Sequence, residues 1–218
     1  MLIKIKGYLA LPLFLLFAQN ASNFDREEIE NIVESAKKGK EEAFESLYKV
    51  YSDNIYRYLY YLLGNQDTAY DLTSQTFLKA YENLKSYRFK GYSFSAWLYK
   101  IAHNLAIDHF RKQQKEASGF SEGSLRSAWA KAGETNFEEL VINRVTLEDA
   151  LKNLTLGQRQ VIILKFIEQM NNSQVAEILG KTTGAVKAIE RRALSELKNI
   201  LIRQSVPRHQ KEEVYAGK

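Results

Sequence analysis

Lys187, Arg191 and Arg192 stand with two small residues, Gly184 and Ala188, at spacings of three and four. On a helix turning about 100° per residue these five share one face, while Val186, Ile189, Ala193, Leu197 and Ile200 fall on the other. Small residues let a helix approach a groove closely, and cations there meet phosphates or guanine edges. Surface cations commonly do no more than solvate a helix, so the reading rests on what precedes them. Gln174-Val175-Ala176-Glu177-Ile178-Leu179-Gly180 reads as a short helix closed by a glycine able to take a left-handed turn, and Thr182 can cap the helix after it. A short helix, a glycine turn and a longer second helix outline a helix-turn-helix. Thr182, Gly184, Lys187, Ala188, Arg191 and Arg192 are therefore candidate contacts to duplex DNA.

A second set lies in the middle of the chain. From Ser93 onward, Phe94, Leu98, Ile101 and Leu105 line an apolar face, and Lys100, Asn104, Ile107 and Arg111 form a separate stripe. Cation, amide and cation in that order suit a DNA backbone with some base contact. The preceding loop, Tyr87-Arg88-Phe89-Lys90-Gly91-Tyr92, interleaves aromatics with cations. Such a loop can stack unpaired bases while neutralising phosphates, which singles out Lys90 and Tyr92. Phe94 and Trp97 are read as core. A third set is of another kind: Asp71, Gln75, Leu78 and Glu82 project together from a helix whose inward positions are Ala69, Leu72, Thr76, Phe77 and Ala80. An exposed leucine between acids fits a protein-binding face better than a DNA face.

Other chemistries find little support. The 218 residues include no cysteine, which excludes a disulfide framework, a thiolate metal site and a cysteine nucleophile. The three histidines, His103, His109 and His209, form no metal-binding motif. Asp67 and Asp71 share a helix, but that spacing alone makes no metal site, and an enzyme acting on DNA would need an activated nucleophile or clustered carboxylates. No catalytic residue, cofactor, metal or small-molecule substrate is expected. The net charge of +5 favours a polyanionic partner modestly.

The elements that must hold these sets in place are helices. The only prolines are Pro12 and Pro207, and apolar residues between them recur at three and four, with no sustained alternation. Helices are predicted at 26–38, 41–63, 67–86, 93–115, 138–153, 156–169, 173–179 and 183–203. Thr155 with Gln158 forms a capping-box pattern. The glycine- and serine-bearing stretch 117–137 reads as a linker and 205–218 as a polar tail. The fold class is thus all-α: two small helical domains, 23–116 and 138–204, joined by a flexible linker, the second a helix-turn-helix domain. Residues 1–22 pair Lys4 and Lys6 with a short apolar run from Tyr8 to Ala18. They are read first as a misassigned start or unstructured extension, with an interfacial anchor or an export signal as the alternatives.

Three segments together carry a resemblance. Asp67-Thr68-Ala69-Tyr70-Asp71-Leu72 with Thr76-Phe77-Leu78-Lys79-Ala80 resembles the polymerase-binding helix of sigma-70-family factors, above all the small extracytoplasmic-function group. Phe94-Ser95-Ala96-Trp97-Leu98-Tyr99-Lys100-Ile101-Ala102-His103-Asn104-Leu105-Ala106-Ile107-Asp108 is similar to that group's −10 promoter segment. Val175 to Gly180 with Gly184-Ala185-Val186-Lys187 is similar to its −35-binding motif. Their order and spacing match from Glu41 to Ile202. The resemblance implies a cytoplasmic initiation factor whose partners are core RNA polymerase, promoter DNA and, in a regulated system, an anti-sigma factor. Asp71, Gln75, Leu78 and Glu82 would meet polymerase. Lys90, Tyr92, Lys100, Asn104 and Arg111 would meet the melted −10 strand, and the helix-turn-helix face the −35 duplex. The chain departs from the pattern at Ser74 and Gln75, where glutamine and an acid are usual, and at Leu156, where proline is common. The competing reading is a helix-turn-helix regulator that acts without joining polymerase. The aromatic loop argues against it.

Overall fold

The computed structural model describes residues 25–89, 93–116 and 147–205. The extension 1–22, Lys90 and Tyr92, the expected linker 117–137, residues 138–146 and the tail from 206 lie outside the described residues. All regular structure among the described residues is helical, as the apolar spacing predicts.

Helix α1, Arg26–Lys37, starts at a capping box: the Asp25 carboxylate accepts from the Glu28 amide at 2.9 Å, and Glu28 accepts in return from the Asp25 amide at 2.8 Å. Helix α2, Glu41–Leu63, ends at Gly64, whose φ of 72° is the left-handed turn that closes a helix. Asn65 then caps α3, Gln66–Asn83, through the Thr68 amide at 2.8 Å. The helix predicted to run to 86 tightens after Asn83 into a 3-10 turn, Leu84–Ser86. Helix α4 is Phe94–Glu116. The other three pack around α2, whose Leu47, Ile55, Tyr58, Leu59 and Leu62 are fully buried.

The second unit begins with helical residues 147–152, here α5. Helix α6, Leu156–Ile162, carries the expected Thr155–Gln158 capping box. The predicted helix 156–169 does not continue as α. It widens into a π turn, Ile163–Ile167, marked by the Glu168 amide donating to the Ile163 carbonyl at 2.9 Å. Gln169 follows with φ of 55°. Helix α7, Asn172–Leu179, starts at a second capping box, Asn171 with Gln174, and closes at Gly180, φ 61°. Helix α8, Thr183–Ser205, is capped by Thr182, whose hydroxyl accepts from the Ala185 amide at 3.1 Å. Val186, Ala193 and Ile200 are buried and Ile189 and Leu197 pack beside them, so the expected inward face is the one observed.

The two units do not stand apart. Their buried residues form one continuous apolar cluster, with α7 lying along α4 and the π turn against α2.

Candidate nucleic-acid interface

The face of α8 opposite the core carries the duplex-DNA candidates. Thr182, Gly184, Lys187, Arg191 and Arg192 are exposed and Ala188 is half-buried beneath them. Lys187 and Arg191 stand about one turn apart, about 6 Å along the axis, on the same exposed side of the helix. Arg192 donates back to the Ala188 carbonyl at 3.3 Å, so it folds along its own helix while Arg191 projects. A methyl group at Gly184 would meet nothing closer than the Thr182 hydroxyl oxygen at 3.9 Å. The glycine therefore leaves room for an outside partner rather than for a neighbour in the fold.

On α4 the predicted stripe is in place. Asn104 and Arg111 are exposed, Ile107 is half-buried, and Arg111 leans 3.4 Å from Asp108 in a solvent-screened pair. Lys100 is engaged otherwise: its ammonium lies 2.9 Å from the Glu177 carboxylate, on the first helix of the helix-turn-helix. The aromatic loop also divides. Tyr87 is buried against Phe94 and Trp97, and Phe89 meets it edge-on at 4.9 Å. These rings support the loop instead of offering a platform to bases. Phe94 is buried and Trp97 half-buried, as core residues.

Helix α3 presents Asp71, Gln75, Leu78 and Glu82 to solvent together, with Leu78 59% exposed. Two tyrosines absent from the sequence reading widen that surface. Tyr81 is exposed and rests edge-on against Phe44 at 5.0 Å, and Tyr48 is exposed over Phe77 at 4.7 Å. Helical spacing does not say which rings of a packed seam stay on its outer rim.

Charged contacts between the two units escaped the sequence altogether. Glu168, just after the π turn, sends a carboxylate with 2% exposure into the first unit. Arg57 grips it with two bonds, Nε to Oε1 and Nη2 to Oε2, both 2.9 Å, and the Tyr99 hydroxyl donates to Oε2. Burial pushes the Glu168 carboxyl up, against the opposing pull of Arg57 and Tyr99, and the same burial pushes the Tyr99 hydroxyl well up. Breaking such a buried pair by removing one partner costs about 3–5 kcal/mol, because the other charge is stranded. Arg159 makes a second joint: its guanidinium donates to the carbonyls of Leu151 at 3.0 Å, Leu62 at 3.2 Å, and Lys152 and Leu154 at 3.4 Å. Burial lowers its pKa to about 10, which leaves it charged at neutral pH. Tyr60 to Glu148 at 2.9 Å and Gln174 to Ser93 at 3.4 Å complete the seam. His103, on α4, accepts from or donates to the Tyr58 hydroxyl at 3.2 Å. Burial, then the nearby Lys181 charge, push its pKa down to about 4.

No group of three or more His, Asp or Glu among the described residues could hold a metal ion, and no described helix is long and apolar enough to cross a membrane.

Residues 47–116 match the family model for Sigma-70 region 2, and residues 150–199 that for Sigma-70, region 4. The chain is 34% identical over 183 residues to the ECF RNA polymerase sigma factor BldN of Streptomyces coelicolor, covering 83% of this chain and 69% of that one. It is 33% identical over 172 residues to the ECF RNA polymerase sigma factor SigW of Bacillus subtilis, covering 73% and 89%. Its fold is similar to that of CnrH in complex with the cytosolic domain of CnrY, with a TM-score of 0.60, 23% identity, and coverage of 80% and 97%. It is also similar to the sigma factor RpoE in complex with the anti-sigma factor NepR from Bartonella quintana, with a TM-score of 0.56, 23% identity, and coverage of 72% and 96%.

Proposed function

We propose how this chain works from one premise: it belongs to the extracytoplasmic-function (ECF) group of the sigma-70 family of RNA polymerase sigma factors. It is a sigma factor that directs promoter recognition and transcription initiation with core RNA polymerase. The observation that carries the assignment of roles is the segregation of its surface. An acidic and apolar face lies on α3, a cation–amide stripe on α4, and a purely basic face with small residues on α8. Each fits a different partner.

In this reading residues 23–116 form the unit that meets polymerase and the −10 element, 117–137 the connection, and 138–204 the unit that meets the −35 element. Asp71, Gln75, Leu78 and Glu82 contact polymerase, with Tyr48 and Tyr81 extending that surface. Lys90, Tyr92, Lys100, Asn104 and Arg111 receive the melted −10 strand, where cations neutralise phosphates and Tyr92 stacks a base. Thr182, Gly184, Lys187, Ala188, Arg191 and Arg192 enter the major groove of the −35 duplex, phosphate contacts setting register and arginine reading guanine. The chain performs no covalent step; polymerase does the chemistry, in the cytoplasm. An anti-sigma factor is a further partner, since the RpoE relative is held by one.

Run-off transcription with core polymerase and a randomised promoter library tests the proposal. Transcripts should start downstream of one shared pair of elements. A pull-down in which core enzyme ignores the unmodified chain would end it.

A further inference from the structure

We propose that Tyr70 receives an arginine side chain of core RNA polymerase, whose guanidinium lies over the ring and is met by the carboxylates of Asp67 and Asp71. The inference rests on reading the exposed side of α3 as the polymerase surface. It adds to that surface a residue outside the four assigned to it and names the chemistry that the partner presents there.

Tyr70 is 62% exposed, more open than either Leu78 or Tyr81. One side of its ring rests on Tyr56 of α2, with centroids 4.4 Å apart, and most of the rest meets solvent. A ring supported from below offers a large contact area with few torsions left to freeze. The charge around it is of one sign. Asp67, three residues before Tyr70, shares its side of the helix, and Asp71 projects about 100° further round the same exposed side. Among the described residues, neither carboxylate is paired with a cation of this chain. The cations of α2 are engaged elsewhere: Arg57 turns to Glu168, and Lys49 pairs with Glu45 at 2.5 Å. The face of an aromatic ring is itself the negative part of its quadrupole. A ring face flanked by two unpaired carboxylates therefore selects a cation. Guanidinium suits it better than ammonium, because the flat group stacks on the ring and still points donors from its edge at carboxylates on both sides.

The ring is also continuous with the surface assigned to polymerase. Helices α2 and α3 run antiparallel, which sets Tyr81 on Phe44, Tyr48 over Phe77 and Tyr70 on Tyr56 along one seam. Tyr70, Ser74, Leu78 and Tyr81 follow one another at spacings of four, four and three, and all four are exposed. The strip from Tyr70 to Tyr81 covers about three turns, roughly 16 Å. A partner lying along α3 over Leu78 thus meets Tyr70 at the end of the same strip. Tyrosines of this kind, paired with an arginine on the partner, are the side chains that concentrate binding energy in protein interfaces.

The test is the affinity of the full chain for immobilised core polymerase, measured by biolayer interferometry. Tyr70→Ala should weaken binding about tenfold, with helical content by circular dichroism unchanged. Tyr70→Phe, which keeps the ring, should bind within about twofold of the parent. Tyr70→Leu, which keeps apolar bulk without a ring face, should lose most of what alanine loses. Trifluorophenylalanine at the same position drains the ring face of negative charge at nearly constant shape, and should bind about fivefold more weakly than Tyr70→Phe. Asp67→Asn should weaken binding about threefold at low salt and less at high salt. Alanine binding as the parent does, while Asp71→Lys still weakens the complex, would overturn the role of Tyr70. Leucine or the fluorinated ring binding as well as phenylalanine would overturn the cation and leave a plain apolar contact. If the alanine variant misfolds, the comparison of the phenylalanine with its fluorinated form decides the matter. A parent chain that core polymerase ignores would instead sink the polymerase reading, and this inference with it.

Discussion

Acidification should weaken this fold through one histidine. His103 sits on α4 with Nδ1 3.2 Å from the Tyr58 hydroxyl, and burial with the adjacent Lys181 charge lowers its pKa from 6.5 to about 4. The unfolded chain keeps the ordinary value, so between these limits the unfolded state takes up a proton that the folded state refuses. Stability from this group is therefore whole above pH 6.5 and is lost as the pH falls toward 4. Integrating the difference from pH 7.5 to pH 5.0 gives a loss of about 2 kcal/mol, at about 1.4 kcal/mol per pKa unit. With a urea dependence of roughly 2–3 kcal/mol per molar, the midpoint should drop by roughly 0.7–1 M. Carboxylates titrate in the same window, so the measurement is a difference: urea melts of the unmodified chain and of His103→Gln at both pH values. Glutamine keeps a hydrogen-bonding partner for Tyr58 and has no proton to gain. The variant should lose about 2 kcal/mol less than the parent on acidification. Equal losses in the two proteins would refute the assignment of a neutral, half-buried His103.

Four further outcomes are expected. Asp71→Lys should weaken the complex with core polymerase in a pull-down while leaving the circular dichroism spectrum unchanged, because Asp71 is exposed and far from the packed side of α3. Lys187→Ala should lower DNA affinity similarly on all sequences and reduce the salt slope by about one. Arg191→Ala should cost roughly 1–3 kcal/mol at one −35 position, and a substitution scan across that element tells the two apart. Gly180→Ala should destabilise by about 1 kcal/mol, purely from the left-handed backbone: at φ 61° an added methyl meets nothing within 4 Å. Calorimetry should place its Tm a few degrees lower, and an unchanged Tm would mean that the turn relaxes.

What was legible in the sequence was whatever is encoded locally. Thr155 with Gln158, Gly180 and Thr182 mark helix ends through bonds to residues three positions away, and the structure places them as caps. The periodic faces of α3 and α8 were legible for the same reason, since burial on a helix repeats every three or four residues. Composition does not say which ring of a loop turns inward: Tyr87 goes to the core with Phe94. The π turn left no trace, since widening a helix by one residue changes no residue type. Arg57 and Glu168 are 111 positions apart, and nothing near either one names the other. Arg159 escaped notice in the same way, since its acceptors are backbone carbonyls and one of them, on Leu62, is 97 positions away.

The two joints between the units differ in how evolution can record them. Arg57 and Glu168 are a pair of side chains, so a change at one penalises the other, and the positions should vary together across relatives. The four bonds described for Arg159 all end on backbone carbonyls, at Leu62, Leu151, Lys152 and Leu154. Every residue carries a carbonyl, so those acceptor positions can change identity without breaking the bonds. Lysine cannot take over at position 159, because its single ammonium lacks the planar fork that reaches acceptors on several segments at once. Correlated-substitution methods would thus detect the ionic joint and pass over the guanidinium one, although both hold the same two units together.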